Sequence, residues 1–270
     1  MKTFVLGDKH GGYKAMLQVF ERSGFNPDTD RLIDLGDVVD GWSETFECVE
    51  LLLSCKHLIS IKGNHDDWWL EYLNTGIHPG RLQHGAKATL QSYEKHCKPN
   101  EVDGRMYTTV PHTIPESHLD FFRNQLPYYV DDKNNVYVHG GWNRHFTLAE
   151  QPVPDIYWWD RDLFLQALSV GTISNEKYNA LRFKDSFINK IFIGHTPTTN
   201  WKEKETISNS GIILSQKGQP KTIPMFADKI VNVDTGAAFV GKLTLMNVDT
   251  LEYWQSDTVK DLYPNEKGRN

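Results

Sequence analysis

The sequence is poor in the features that mark secreted and membrane proteins. It holds three cysteines, Cys48, Cys55 and Cys97, an odd number without a metal-type C-x-x-C spacing, so we expect reduced thiols and no disulfide framework. No apolar run approaches the roughly 20 residues that a membrane span needs. Asp8 ends the N-terminal apolar run too early for a signal peptide. We therefore expect a cytoplasmic protein with no membrane partner.

An excess of positive charge is also missing. The formal net charge of the 270 residues is −6, which argues against nucleic acid as a partner, although a local basic pocket is compatible with it. Apolar residues make up 39% of the chain and charged residues 24%, which is the balance of an ordinary globular protein. No linker, repeat or low-complexity tract divides the chain, so the sequence predicts a single domain over residues 1–270.

Strands and helices alternate in the first third of the sequence. The predicted strands are Phe4–Leu6, Arg31–Leu35 and Leu58–Ile61, and the predicted helices are Tyr13–Ser23, Phe46–Leu53 and a third entered through Asp66 and Asp67. This order indicates a sheet with parallel neighbours joined by right-handed crossovers.

The middle of the sequence is more helical, and its end is richer in strands. Helices are predicted at Gly85–His96, Pro115–Leu126, Leu163–Leu168 and Lys177–Ile188, and the first two lie in a helical insertion over roughly residues 74–127. Strands are predicted at Tyr128–Val130, Val136–Val138, Lys190–Ile193, Ile230–Val233, Val240–Val248 and Leu251–Gln255, and a solvated loop at Asn200–Lys204. The pattern as a whole favours two sheets packed face to face with helices outside.

Polar side chains beside glycine follow five of the predicted strands. The segments are GDKHG at residues 7–11, GDVVDG at 36–41, GNHD at 63–66, HGG at 139–141 and GHT at 194–196. Ligand sites of α/β sheets form beyond the carboxyl ends of strands, so these segments are expected to meet at one rim. Glycine lets the backbone turn sharply and approach a ligand closely.

Six side chains in these segments form a mixed oxygen and nitrogen donor set. They are Asp8, His10, Asp37, Asn64, His139 and His195. Such a set suits manganese, iron or zinc, and six donors fit two ions that share a carboxylate and act on phosphorus. Taken singly, Asp37 could be a helix cap, Asn64 a turn residue and His139 a hydrogen-bonded structural residue. Five segments in one order favour the metal site.

The order of these motifs resembles the calcineurin-like metallophosphoesterases, and among them the bacterial and phage branch of the serine/threonine phosphoprotein phosphatases. The resemblance runs from Lys2 to about Gln255 and includes the late segment 233–237. It implies one metallophosphoesterase domain of the α+β class. The expected architecture is a four-layer α/β/β/α sandwich with two mixed sheets and a dimetal site at the strand C-terminal ends.

The resemblance also implies roles for the residues. Asp8 and His10 would hold the first ion, Asp37 would bridge both ions, and Asn64, His139 and His195 would complete the second. His65 would protonate the leaving group, and Asp40 would orient His65 and raise its pKa so that the ring stays protonated near neutrality. The expected cofactors are two divalent ions, with manganese as the first choice and iron or zinc as alternatives.

The substrate-binding positions depart from this branch. The branch usually carries arginine where this chain has Gly41, and often arginine where this chain has Lys62. The phosphate contacts expected here are therefore Arg161, Lys62 and Arg144, although Arg161 could instead form a surface ion pair. Lys9, between two predicted ligands, could simply face the solvent. The segment Gly194-His195-Thr196-Pro197 lacks the second histidine of the Gly-His-x-His found in many phosphodiesterases, which favours a phosphatase.

The expected reaction is hydrolysis of phosphomonoesters by direct attack of a metal-bridging hydroxide. The expected substrate is a phosphorylated protein or a small phosphoester. A dinucleoside polyphosphate hydrolase, of the diadenosine tetraphosphate type, remains an alternative because the pairs Trp68-Trp69 and Trp158-Trp159 could stack on a nucleobase, or pack in the core. A catalytically inactive scaffold with this fold is disfavoured, because all six ligands and the pair His65 and Asp40 are present.

Overall fold

The computed structural model describes residues 1–97, 100–102, 105–107, 113–170, 180–207 and 213–269. Its first sheet holds β1 (Thr3–Leu6), β2 (Arg31–Asp34), β3 (His57–Ser60), β13 (Thr244–Asn247) and β14 (Tyr253–Gln255), in the order β14-β13-β1-β2-β3. The strands β1, β2 and β3 run parallel, and β13 and β14 complete the sheet in antiparallel pairing. The helices α1 (Tyr13–Ser23), α2 (Thr45–Leu53) and α3 (Asn64–Thr75) connect or follow the parallel strands.

The second sheet has the same number of strands and the same mixed character. It holds β6 (Tyr128–Val130), β7 (Val136–Val138), β8 (Ile191–Ile193), β11 (Met225–Ala227) and β12 (Ile230–Asn232), in the order β11-β12-β8-β7-β6. The three inner strands are parallel and both edge strands are antiparallel. The helices α6 (Ile156–Trp159) and α7 (Asp162–Val170) lie between β7 and β8 in the chain.

The two sheets pack on each other through one apolar layer. Successive strand residues face opposite sides, so Val5 of β1 joins this layer while Phe4 and Leu6 join the cluster under the helices. Tyr137 and Phe192 stack within the layer, with ring centroids 5.1 Å apart. Separate apolar clusters lie on the outer face of each sheet, against α1 to α3 on one side and α7 on the other. The predicted α/β/β/α sandwich is therefore confirmed.

The remaining elements decorate this sandwich. They are α4 (Ala86–His96), the hairpin of β4 (Asn100–Val102) and β5 (Arg105–Tyr107), α5 (Glu116–Arg123), the hairpin of β9 (Lys202–Ile207) and β10 (Ile213–Pro220), a 3-10 turn (Thr198–Asn200) and α8 (Val259–Leu262). Helix α4 packs on α2 and α5 packs on α3. The single domain with its helical insertion stays a prediction. In the described part of the chain, no helix has the length and apolar character to cross a bilayer.

Three sequence predictions fail near the second sheet and the late strands. Residues 180–188 are not helical, since the backbone N–H of Leu181 bonds to Asp228 and that of Lys184 to Arg144; residues 177–179 lie outside the described residues. The predicted loop at 200–204 instead enters strand β9, which pairs with β10. Strand β13 begins only at Thr244, because residues 236–242 form a turn closed by backbone hydrogen bonds.

Lys9 is fully buried, which excludes the possibility that it merely faces the solvent. Its Nζ donates to the carbonyl oxygen of Gly36 at 2.7 Å and forms an ion pair with Asp34, whose side chain is also fully buried. Asp34 additionally accepts from the hydroxyl of Ser60 at 2.9 Å. Burial lowers the pKa of Lys9, but the charges of Asp34 and Asp66 raise it by more, so the net pKa is above its ordinary value. Lys9, which follows β1, thus connects this strand to Asp34 of β2 and to Gly36 just after it, below the predicted site.

Replacing Lys9 by methionine is expected to lower the free energy of unfolding by about 3–5 kcal/mol, because Asp34 would be left as an unpaired buried charge. Urea denaturation followed by circular dichroism measures the loss. Lys56→Met is the matched control, since Lys56 pairs with Asp28 at the surface, where an ion pair contributes roughly 0–1 kcal/mol. Equal losses in the two variants would contradict a structural role for the buried pair.

Candidate dimetal site

The predicted donors converge at the carboxyl ends of the parallel strands of both sheets. Asp8 follows β1, Asp37 follows β2, His139 follows β7 and His195 follows β8. Two sets form there: Asp8, His10 and Asp37 in the first, and Asp37, His139 and His195 in the second. Within each set the ligand atoms lie within 4.8 Å of one another. Asp37 belongs to both sets, which is the geometry of a carboxylate between two ions.

Asn64 joins the second set. It is the first residue of α3, four residues after the end of β3, and its Oδ1 lies 3.2 Å from Nε2 of His139. The amide oxygen adds a neutral oxygen donor beside an imidazole. All six predicted donors are thus buried at one rim.

Backbone carbonyls orient the imidazole rings. Nδ1 of His10 donates to the carbonyl oxygen of Val39 at 2.8 Å, and Nδ1 of His139 donates to that of Leu35 at 2.6 Å. A carbonyl only accepts, so Nδ1 carries a proton in both rings, and Nε2 is the nitrogen that would bind a metal ion. Each Nε2 lies 3.4 Å from a different carboxylate oxygen of Asp37.

Two buried donor atoms of the site have no hydrogen-bond partner within the described residues. They are Oδ1 of Asp8 and Nε2 of His195, one from each donor set. Leaving a buried polar atom unpaired costs about 1–3 kcal/mol, so such an atom calls for an explanation. Metal ions would satisfy both atoms, and the mixture of carboxylate, imidazole and amide suits divalent transition metals. The residues therefore fit a dimetal centre.

The buried carboxylates of the site favour the binding of cations. Burial raises the pKa of Asp8, and the neighbouring Asp234 raises it further. Burial opposes ionisation of Asp37, but His139 and His65 hold its pKa well below the ordinary value. Burial lowers the pKa of His139, yet Asp37 and Asp8 raise it to about 9 overall. Asp37 and Asp8 thus stabilise the protonated form of His139, and the ring would lose this proton on binding a metal ion.

Four residues of the site adopt backbone angles that side chains other than glycine rarely adopt. The φ angles of His10, Asp37, Asp40 and His195 are 45°, 51°, 65° and 64°. Each such conformation costs on the order of 1 kcal/mol and persists only where the surrounding structure enforces it. Close approach adds a further constraint, because a Cβ on Gly194 would lie 2.1 Å from Oδ1 of Asp8. The fold therefore holds these side chains in strained positions at the rim.

His65 and Asp40 form a buried pair beside the donor sets. Nδ1 of His65 lies 2.8 Å from Oδ2 of Asp40, whose other oxygen accepts from the hydroxyl of Thr89 at 3.2 Å. Burial lowers the pKa of His65 to about 3 and raises that of Asp40 to about 7. The expectation that His65 stays protonated near neutrality is wrong, because burial lowers the pKa of the ring more than the charge of Asp37 raises it. The two shifts together favour a proton on Asp40 over a second proton on His65.

The three residues predicted to bind phosphate are placed differently. Nη1 of Arg161 donates to the carbonyl oxygen of His195 at 2.7 Å and to the hydroxyl of Thr196 at 3.2 Å, so Arg161 lies at the rim. Lys62 pairs with Asp67 at 3.2 Å, and its Nζ lies 5.2 Å from the ring centroid of Trp158.

Arg144 lies among side chains of α7 and is not brought to the six donors. Its guanidinium donates to Gln166 and to the carbonyl oxygen of Arg182, and it lines a separate cavity of about 310 Å³. The surface ion pair considered for Arg161 is also not observed. Asp160 instead accepts from the backbone N–H of Leu163 at the start of α7.

Two residues near the site were missed in the sequence. Asp234 follows β12 and is buried, and burial raises its pKa to about 6. Like the other donors, Asp234 is a carboxylate just past a strand end, with Gly236 two residues further on, so a wider search of strand ends would have included it. Arg269 lies with Nη1 3.4 Å from Nε2 of His10. No sequence pattern predicts this contact, because the two residues are 259 positions apart.

Comparison with known proteins identifies the family. The family model for the calcineurin-like phosphoesterases matches residues 1–201, which is more than half of the chain. The chain belongs to this family. The residues of its sequence motifs are the same residues that form the two donor sets. As a member of this family, the protein is a hydrolase that acts on phosphate esters.

Three relatives of this phosphoesterase carry two kinds of name. The bis(5'-nucleosyl)-tetraphosphatase PrpE of Bacillus cereus is 23% identical over 267 aligned residues, which cover 93% of this chain and 92% of that protein. The symmetrical bis(5'-nucleosyl)-tetraphosphatase of Pseudomonas putida is 25% identical and covers 97% and 94%. Serine/threonine-protein phosphatase 2 of Salmonella typhimurium is 39% identical over 72 residues, which cover 27% of this chain and 33% of that protein.

Solved structures support the fold of the phosphoesterase. A putative diadenosine tetraphosphatase has a TM-score of 0.56 at 13% identity, with 94% of this chain and 92% of that chain covered. A protein serine/threonine phosphatase from Saccharomyces cerevisiae has a TM-score of 0.50 at 15% identity, with 96% and 80% covered. Both similarities concern the arrangement of the two sheets and their helices.

Proposed function

We propose that this phosphoesterase hydrolyses phosphate monoesters, in the manner of a serine/threonine phosphoprotein phosphatase, with two divalent ions at the rim. The observation that carries the proposal is Asp37, shared by two buried donor sets. Asp8, His10 and Asp37 would hold one ion, and Asp37, Asn64, His139 and His195 the other. The ions would supply an activated water and neutralise charge on the phosphate oxygens. Manganese is the first candidate, ahead of iron and zinc.

His65 is the acid for the leaving group in this proposal. Its ring lies beside the first donor set, with its centroid 5.3 Å from that of His10. Asp40 holds Nδ1, so Nε2 is the nitrogen that can reach the departing oxygen. Thr89 fixes Asp40 from α4 by accepting from its backbone N–H at 2.8 Å. The proton delivered by His65 is replaced from Asp40, so the pair acts as one acid.

The segment after His195 supports a phosphatase over a phosphodiesterase. Many phosphodiesterases carry a second histidine two residues after the first, and that position is Pro197 in this chain. Here the Thr196 hydroxyl accepts from Arg161, and Arg161 also holds the His195 carbonyl oxygen. This segment therefore positions a guanidinium that can contact the phosphate oxygens of a monoester. Action in the cytoplasm on a phosphorylated protein or a small phosphoester stays a prediction.

A dinucleoside polyphosphate is the second candidate substrate, and two tryptophans favour it. Trp68 and Trp159 lie 5.2 Å apart between ring centroids. Trp68 lies 5.2 Å from the ring of His65, and Trp159 lies 6.1 Å from that of His195. Trp69, by contrast, is fully buried in the core. Each tandem pair thus places one ring at the rim, where a nucleobase could stack. The relatives matched over nearly the whole chain are named as tetraphosphatases.

Trp159→Ala separates the two substrates. If the phosphoesterase prefers monoesters, wild type has a higher kcat/KM for a phosphopeptide than for diadenosine tetraphosphate, and the substitution leaves the phosphopeptide value nearly unchanged. If a base stacks on Trp159, the substitution raises KM for diadenosine tetraphosphate about 5- to 150-fold. Phe226→Ala is the control, because Phe226 is an exposed ring on the edge strand β11. A preference of wild type for diadenosine tetraphosphate would replace the first candidate by the second.

A further inference from the structure

The position after GDVVD has no room for an arginine in this fold. Gly41 packs against His10, and a Cβ at residue 41 would lie 2.7 Å from the carbonyl oxygen of His10 and 2.8 Å from its Cβ. Gly85 closes the other side, since a Cβ there would lie 2.5 Å from the backbone nitrogen of Gly41. A cation that binds the substrate phosphate near His10 must therefore come from another part of the chain.

The segment 263–269 docks onto the residues that follow Gly41. The ring of Trp42 stacks on that of Tyr263, with centroids 5.2 Å apart and planes at 20°. The backbone N–H and hydroxyl of Ser43 donate to the two carboxylate oxygens of Glu266, at 2.9 and 2.6 Å. The backbone N–H of Arg269 donates to the carbonyl oxygen of Ala238 at 3.1 Å. These contacts fix the backbone of Arg269 at the rim.

The guanidinium of Arg269 faces the first donor set. Its Nη1 lies 3.4 Å from Nε2 of His10, and its central carbon lies 5.3 Å from the ring centroid of Phe239. Its Nε is buried and has no hydrogen-bond partner in the described part of the chain. An ion held by His10 would take the lone pair that Nη1 faces. Arg269 would then have unpaired N–H groups beside a second positive charge, and an anion between the two charges would satisfy both.

We propose that Arg269 binds the substrate phosphate and takes the place of the arginine excluded from position 41. Arg161 stands at the His195 side of the rim and Arg269 at the His10 side, so the phosphate oxygens would have one guanidinium on each side. A guanidinium donates from two nitrogens to one phosphate, which the point charge of a lysine does not reproduce. This inference rests on the proposed hydrolysis of phosphoesters.

The test compares Arg269→Gln, Arg269→Ala and Arg269→Lys with wild type in the manganese-loaded protein. Calorimetry gives the Kd of inorganic phosphate, and steady-state kinetics give kcat/KM for p-nitrophenyl phosphate. Loss of the guanidinium is expected to weaken phosphate binding and to lower kcat/KM about 10- to 100-fold, with Arg269→Lys intermediate. Bound manganese and the melting temperature of Arg269→Gln should match wild type. Arg123→Gln is the control, because Arg123 pairs with Glu116 at the surface.

Two results would overturn the role of Arg269. One is an unchanged Kd for phosphate in both Arg269→Gln and Arg269→Ala. The other is a loss of bound manganese or of melting temperature in both variants that accompanies the weaker phosphate binding, since Arg269 would then be a structural clamp on His10. Failure of the proposed function is distinguishable: wild type would hydrolyse no phosphoester, whereas the phosphate Kd values would still report on Arg269.

Discussion

Replacing Asp37 by asparagine is expected to lower kcat for phosphomonoesters by at least about 1000-fold, equivalent to about 4 kcal/mol of activation free energy. The carboxylate belongs to both donor sets, and its two oxygens each lie 3.4 Å from an imidazole nitrogen. Asparagine keeps the size of the side chain but removes the charge and one of the two oxygens. The variant should therefore lose the shared ligand of both ions while the fold remains. Steady-state rates with added manganese measure the loss.

Asp131→Asn is the matched control for Asp37→Asn. Asp131 is also a buried aspartate, but it lies in the turn between β6 and β7, where it accepts from Asn135 and Tyr137. Its substitution should cost stability and leave kcat close to wild type. A rate of Asp37→Asn as high as that of Asp131→Asn would remove Asp37 from the reaction centre.

Replacing His65 by asparagine is expected to lower kcat about 100- to 10,000-fold for substrates with poor leaving groups. The loss should be smaller for p-nitrophenyl phosphate, because p-nitrophenolate departs without a proton. The measurement is a series of phosphomonoesters with leaving groups of increasing pKa, assayed on wild type and variant. A steeper dependence of rate on leaving-group pKa in the variant identifies the missing acid. Equal losses along the series would show that His65 is not the acid.

The pH dependence adds a check on the same pair. Burial raises the pKa of Asp40 to about 7, so the pair holds its proton below that pH and loses it above. For poor leaving groups, the wild-type rate should fall as pH rises through about 7, and His65→Asn should lack this limb. His96→Asn is the control, because His96 stacks on Phe46 at the surface of α4 and pairs with Glu47.

Local patterns in the sequence predicted the frame of the site well. Helix α1 has the predicted bounds, because its apolar residues recur at helical spacing and Gly24 ends it in a left-handed conformation. Strands β6 and β7 also have the predicted bounds. Since the donors directly follow such strands, the parallel order of the strands was enough to bring Asp8, Asp37 and His139 to one rim.

What failed depends on partners that lie far away in the sequence. The helix predicted at Lys177–Ile188 is absent over residues 180–188, where backbone N–H groups bond to Asp228 and to Arg144 instead of to each other. The charge of Lys9 is neutralised by Asp34 on the next strand, which the spacing of GDKHG cannot reveal. The pKa of His65 depends mainly on burial and on the charge of Asp37, which follows a different strand, and not on Asp40.

The substrate side of the site was the least predictable. Sequence reasoning expected a phosphate-binding cation close to the motifs and took Arg144 as one of three candidates. The structure places Arg144 beside α7. It places Arg269 beside His10, although the two residues are 259 positions apart in the sequence. Substrate-binding residues that come from separate segments leave no local pattern in the sequence. Metal ligands at strand ends do leave one, because each lies next to a predicted strand.

The central claim is that Asp37 joins two ions in one reaction centre. Electron paramagnetic resonance of chelator-stripped protein titrated with manganese, read alongside hydrolysis of p-nitrophenyl phosphate, tests it most directly. We expect two ions per chain, the spectrum of a spin-coupled pair and activity that rises with the second ion, all three lost in Asp37→Asn. Full activity with one bound ion, or two ions that show no coupling in wild type, would contradict the claim.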